Sequence, residues 1–123
     1  MDKKTQSYKD LVVWQKGITL AKLVYTITAE FPAEEKFGLT SQMRRGAVSI
    51  PSNIAEGQAR HTTGEFTQFI SHAEGSLAEL NTQLILGVEL TFCSKPAADP
   101  AFRIMEDLRR MLNGLRRKLA QTR

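Results

Sequence analysis

His61, His72 and Cys93 are the side chains of highest intrinsic reactivity in this 123-residue chain, and their spacing decides what chemistry is open to them. A di-iron centre in a helical bundle needs Glu-x-x-His on two helices. The residues three positions before the histidines are Gln58 and Phe69, so that motif is absent. His61, Glu65 and His72 are ligand-type residues, but His61 falls ahead of a helix start, and a zinc site requires three or four ligands that converge. Cys93 paired with a distant histidine has nothing to orient the pair or to receive an oxyanion. Glu74 and Glu79 stand five residues apart on one helix, which turns them away from each other and from acid/base cooperation. No glycine-rich phosphate loop and no Gly-x-Ser-x-Gly elbow is present. The expected sets of catalytic residues, metal ligands and cofactors are therefore empty, and no enzyme is expected.

The remaining chemistry is cationic. The formal net charge is +4, and it is unevenly spread: residues 2–99 carry ten Lys/Arg against eleven Asp/Glu, and residues 100–123 carry seven against two. In the last segment Arg103, Arg110 and Arg117 recur every seven residues, opposite an apolar stripe, with Arg109, Arg116 and Arg123 as an adjacent column. Glu106 and Asp107 lie to one side and are expected to temper only the first part of the stripe. Together with Arg44, Arg45 and Arg60, these arginines (Arg103, Arg109, Arg110, Arg116 and Arg117) are the candidate contacts for RNA, DNA or a nucleic-acid-processing protein, through charge-assisted bonds to phosphate. The bland alternative is a solvated helix face whose late arginines suit the negative end of the helix dipole.

The elements that must position these groups are helices. Val13, Gly17, Leu20, Val24, Ile27 and Phe31 alternate at four and three residues, giving a helix over 8–31 that Ser7 and Asp10 would cap and Pro32 would end. Leu39, Met43, Ala47, Ile50 and Ile54 mark a second over 38–60. Pro51 interrupts it, and the spacing maintained across the proline predicts a kink held by packing. Thr62 to Glu65 form a capping-box pattern for a third helix over 63–91, whose stripe runs Phe66, Ile70, Ala73, Leu77, Leu80, Leu84. Residues 93–99 read as a loop, with Asp99 and Pro100 as N-cap and first-turn residue of a fourth helix over 100–121. Met105, Leu108, Leu112, Leu115 and Leu119 form its inner face. The expectation is one all-α domain over 1–123, an antiparallel up-down four-helix bundle.

A single cysteine fits a reducing compartment. The polar, basic start (Met1, Asp2, Lys3, Lys4) and the charges that break the apolar run Leu11–Ile27 exclude a signal peptide and a membrane span, so a cytoplasmic location and no membrane partner are expected.

The run EKFGLTSQMRRGAVSIPSNIAEG from Glu35 to Gly57 resembles the bacterial 23S rRNA intervening-sequence protein family, also described as four-helix bundle proteins. DLVVWQKG from Asp10 to Gly17 and EFTQFISHAEGSLAELNTQL from Glu65 to Leu84 reinforce it, so the resemblance covers about Tyr8 to Leu90. It implies a bundle that assembles into a homo-oligomer, with a pentamer the expected form. The family's polar set falls on Ser41, Gln42, Arg44, Arg45, Ser49, Ser52, Asn53 and Glu56, around Pro51. Ser49, Ser52 and Asn53 surround Pro51, either to satisfy the carbonyl that it leaves without a donor near Ala47 or to bind a ligand. The excess apolar surface at Trp14, Ile18 and Tyr25 supports subunit contact independently. A protein-binding scaffold with no nucleic-acid role is the competing expectation.

Overall fold

The computed structural model describes residues 7–122; Met1 to Gln6 and Arg123, which include the basic start and the end of the second arginine column, lie outside the described residues. Among those described, four long helices and two short 3-10 turns make up the regular structure: α1 (Val12–Thr28), α2 (Leu39–Gln58), α3 (Thr63–Glu89) and α4 (Lys95–Gln121), with no strand. The regular structure of the described residues is all-helical, as their periodicity requires. α2 packs on α1 and α3, and α4 on α3 and α1. Arg44 reaches Thr28 while Pro51 meets Gly17, and Gln42 reaches Gln83 while Gly57 meets Phe66, so adjoining helices meet in opposite numerical order.

Nineteen apolar residues are buried in one core, and the stripes read from spacing account for most of them. Val13, Leu20, Val24 and Ile27 come from α1, Met43, Ala47, Ile50 and Ile54 from α2, Ile70, Ala73, Leu77, Leu80 and Leu84 from α3, and Met105, Leu108 and Leu112 from α4. Leu115 and Leu119 are only partly buried, because the last turns of α4 run past the core.

The helix ends differ from expectation in four places, each for a local reason. Ser7 Oγ accepts from Lys9 N–H at 2.9 Å and so caps a separate turn, Tyr8–Asp10; extended Leu11 (φ −76°, ψ 126°) divides that turn from α1. At its other end α1 closes at Thr28. Glu30 and Phe31 N–H tighten into i→i+3 bonds to Ile27 O and Thr28 O, since Pro32 disfavours helical backbone at Phe31. Phe31 instead tucks against Gly87 and stacks on Phe92 at 5.4 Å. α3 stops at Glu89 in a Schellman motif: Phe92 N–H donates to Gly87 O and Thr91 N–H to Val88 O, with Thr91 at φ 62° in the left-handed region.

The fourth difference is the largest. α4 begins at Lys95, and its N-cap is Ser94, whose Oγ accepts from Ala97 N–H at 3.2 Å; Asp99 is already inside the helix and pairs with Lys95 at 3.0 Å. Pro96 sits in the first turn, where its missing N–H costs nothing, and Pro100 is retained because buried Ala98 and Ala101 hold that turn against the core. Ser94→Ala is therefore expected to lower stability by about 1 kcal/mol. Asp99→Ala, which removes an exposed i,i+4 pair, should cost about 0.3–0.5 kcal/mol. Urea denaturation of both variants separates the two assignments of the cap.

Pro51 lies inside an uninterrupted α2. Its ring packs on Gly17: a Cβ at that glycine would stand 3.3 Å from Pro51 Cβ and Cδ, so the missing side chain on α1 makes room for the proline on α2. Ser49 Oγ donates to Gly46 O and Asn53 Nδ2 to Ser49 O, both at 2.8 Å. Two polar residues of the motif thus bond backbone carbonyls of the turns around the proline. The carbonyls are those of Gly46 and Ser49, one turn's neighbours of the expected Ala47, and Ser52 is exposed on the outer side.

Candidate nucleic-acid interface

The N-terminal half of α2 turns a run of polar side chains outward. Glu35 Oε1 accepts from Leu39 N–H at 3.0 Å and fixes the start of the helix. From there the 3.6-residue period sends Thr40, Met43 and Ala47 inward and turns Ser41, Arg44, Arg45, Val48 and Ser49 toward the outer surface. Arg44 Cζ lies over the Tyr25 ring, 4.5 Å from its centroid. It donates through Nε to Thr28 Oγ1 (2.9 Å) and through Nη2 to the Tyr25 carbonyl (3.3 Å), an acceptor at the end of α1. Arg44 therefore couples α1 to α2 and presents a guanidinium already oriented. Arg45, one position on, has no hydrogen bond or ion pair among the described residues.

These residues line an open depression of about 790 Å³ between α1 and α2, formed by Tyr25, Lys36, Phe37, Thr40, Ser41, Arg44, Arg45, Val48 and Ser49. Three cations and four hydroxyls face it, and no carboxylate does. Phe37 stands at its rim, 89% exposed, with Lys36 Nζ 5.5 Å above the ring. On the other side of Phe37, Ser41, Arg45 and Ser49 also border a second depression of about 500 Å³ between α2 and α3, whose remaining lining includes Gln42, Ser76, Glu79 and Gln83.

Phe37 lies next to Gly38, outside every apolar stripe, so periodicity does not single it out. Unlike Phe31, which is buried in the core, it falls on no core face. The signal available was an aromatic ring off-stripe, beside a helix start and flanked by lysine.

Of the described α4 arginines, Arg109, Arg110 and Arg116 are engaged by internal pairing. Arg109 grips Glu106 through two bonds, at 3.1 and 2.6 Å, and Arg110 reaches Glu106 at 3.2 Å and Asp107 at 2.8 Å. Those contacts, the bond from Arg109 first, hold the Glu106 carboxyl below its ordinary range and raise Arg109. Asp107 also takes Lys16 of α1 at 3.4 Å. Arg116 donates to Glu74 of α3 at 2.6 Å and to Asn113 at 2.7 Å. Glu106 and Asp107 thus engage both Arg109 and Arg110, further along the stripe than expected, and Arg103 and Arg117 remain exposed with no ion pair among the described residues. Arg60 is paired with Glu56 at 3.1 Å and stacked on Phe69 at 4.6 Å, at the far end of α2. The structure therefore brings Ser41, Arg44, Arg45 and Ser49 together, with Gln42 in the adjoining groove, and leaves Ser52, Glu56, Arg60 and the α4 arginines elsewhere.

Both histidines are exposed, His72 edge-on to Phe69. Burial pushes the Cys93 thiol above its ordinary range, which lowers its thiolate fraction. Among the described residues no three His, Cys, Asp or Glu side chains are grouped to hold a metal ion, and no helix is long and apolar enough to cross a membrane.

Four helices among the described residues, with a proline inside the second helix flanked by Ser49, Ser52 and Asn53 and two adjacent arginines nearer that helix's start, define a class of small bundle proteins. The sequence matches the 23S rRNA-intervening sequence protein family over residues 9–114, and the chain belongs to that family. The match extends past Leu90, where the motif resemblance stopped, and takes in most of α4. A search of curated proteins found no match.

Proposed function

We propose that the protein is a cytoplasmic, non-enzymatic, homo-oligomeric module that holds nucleic acid or a nucleoprotein against the basic groove at the start of α2. The observation that carries this reading is the composition of that groove: Lys36, Arg44 and Arg45 with Tyr25, Thr40, Ser41 and Ser49, and no carboxylate among the residues lining it. Guanidinium and hydroxyl groups are the usual donors to phosphate oxygens. Elsewhere on the surface most arginines already have a carboxylate, and a phosphate would have to displace it.

Self-association is supported along the same helix pair. Trp14, Ile18, Ala21, Val48 and Pro51 line a mainly apolar depression of about 260 Å³ toward the other end of α1 and α2. Ile18 and Val48 are exposed there. A second subunit covering this strip would leave the Lys36 end open, and a closed ring, a pentamer on the family resemblance, would repeat the groove around its circumference. The reading as a protein-binding scaffold is favoured by a separate observation, the exposed Ile85, Leu86 and Leu90 on the last turns of α3.

Fluorescence anisotropy with single-stranded RNA and DNA across a salt series tests the proposal. Three phosphates engaged per protomer give a slope of log affinity on log salt of about −2. Replacing Lys36 and Arg45 by glutamine should bring it to about −0.7, with Arg44 spared because it ties α1 to α2. Should Arg103→Gln with Arg117→Gln flatten the slope instead, the interface lies on α4. If the wild type shows no salt-dependent binding at low ionic strength, the scaffold reading replaces this one.

A further inference from the structure

We infer that the depression between α2 and α3, next to the basic groove, takes an unpaired guanine of a single-stranded nucleic acid, with the Phe37 ring as its stacking surface. The inference rests on the proposed nucleic-acid reading and adds to it the strand state and the base.

The two depressions meet along Phe37, Ser41 and Arg45. A ring 89% exposed that borders both hollows, with the Lys36 ammonium 5.5 Å from its centroid and the unpaired Arg45 lining the same two hollows, sets a π-face where a base can lie beside cations for its phosphates. Base stacking on aromatic side chains beside a cationic track is the common way single strands are held. A duplex keeps its bases stacked on each other and has no face to offer Phe37.

The α2/α3 depression differs from its neighbour in one respect: it contains acceptors that have no donor. Glu79 is exposed and makes no hydrogen bond or ion pair among the described residues. Beneath it Gln83, 9% exposed, donates through Nε2 to Gln42 Oε1 at 3.2 Å, while its own Oε1 is buried without a partner. An ionised carboxylate accepts only, through two oxygens side by side. Among the four bases, guanine alone has two adjacent donors on its Watson–Crick edge, N1–H and the 2-amino group, with the spacing of a carboxylate. Adenine and cytosine each set a ring-nitrogen acceptor beside their amino donor, and uracil flanks its one N–H with two carbonyls. A bidentate pair of this kind discriminates between bases by about tenfold or more.

The test compares, by fluorescence anisotropy, a uridine 12-mer with one central guanosine, the same strand with inosine or adenosine at that position, the all-uridine strand, and a duplex of equal length. The expected result is at least about tenfold tighter binding of the guanosine strand than of the all-uridine or adenosine strands, with inosine between. Glu79→Gln should bring guanosine and all-uridine strands within about twofold of each other, the guanosine preference being lost. Phe37→Ala should weaken every single strand and spare the duplex. Binding of all strands with no guanosine preference, or a preference that survives Glu79→Gln, overturns this inference and leaves the basic groove standing. No binding of any strand overturns both. Each variant is also run by sedimentation velocity: if Phe37→Ala changes the assembly state of the protein, that ring is a subunit contact and the inference fails.

Discussion

Replacing Leu80 by alanine should lower the unfolding free energy by roughly 2–5 kcal/mol, as for buried leucines truncated in tightly packed cores. Leu80 is 0% exposed and lies midway along α3, which packs against both α2 and α4. Across from it is Gly46 of α2, where a built Cβ would come to 4.0 Å from Leu80 Cβ. A glycine opposite the truncated side chain has nothing with which to fill the space, and the helices can close only by moving Ile50, Leu77 and Leu84, all buried themselves. The outcome should therefore fall away from the low end of the range. Leu86, on the same helix but exposed, provides the reference: Leu86→Ala should stay within about half a kcal/mol. Urea unfolding at one fixed protomer concentration measures both, since assembly would make the midpoint depend on concentration. A loss below about half a kcal/mol for Leu80→Ala would place that residue outside the core.

Why Leu80 is legible from the chain, and Phe37 is not, follows from what periodicity can report. A side chain repeating every three or four residues reports the face it shares with its neighbours, so the stripes of α1, α2 and α3 read correctly down to Gly17 and Gly87, where a small residue admits Pro51 or Phe31. Phe37 belongs to no stripe, and its exposure is set by the turn at Gly38. The start of α4 was concealed by two prolines that normally break helices, and nothing in the local sequence announces that Ala98 and Ala101 are held by the core. The arginines illustrate a deeper limit. Their seven-residue recurrence is plain, and so are the carboxylates three or four residues from Arg109 and Arg110, but Arg116 is engaged by one brought from afar, Glu74 across 42 residues. Arg45 is free and Arg116 is not, though by spacing alone Arg116 was the better candidate for the stripe.

The close approach of α2 and α3 at Gly57 yields the other large expected effect. A Cβ built on Gly57 would stand 2.7 Å from Phe69 Cβ and 2.9 Å from Phe66 Cδ1, with the Phe66 carbonyl oxygen at 3.4 Å. Phe69 Cβ sits next to its own backbone and cannot swing aside, so Gly57→Ala must push the two helices apart, at a cost of about 1–3 kcal/mol. Alanine also favours the helix over glycine by about 1 kcal/mol, which offsets part of that. Gly75, an exposed glycine inside α3 with no atom within 4 Å of its built Cβ, isolates the offset: Gly75→Ala should stabilise by about 0.5–1 kcal/mol. Because helix propensity enters both substitutions, it cancels to first order in their difference, and what remains is the strain of the α2/α3 contact. Thermal or urea unfolding of the pair should thus separate the two variants by about 1–3 kcal/mol. Gly87 falls between them, since its built Cβ at 2.9 Å meets Phe31 Cζ, the far end of a ring that can tilt. If Gly57→Ala proves as stable as Gly75→Ala, the helices do not approach at Gly57, and its place in the family motif has another cause.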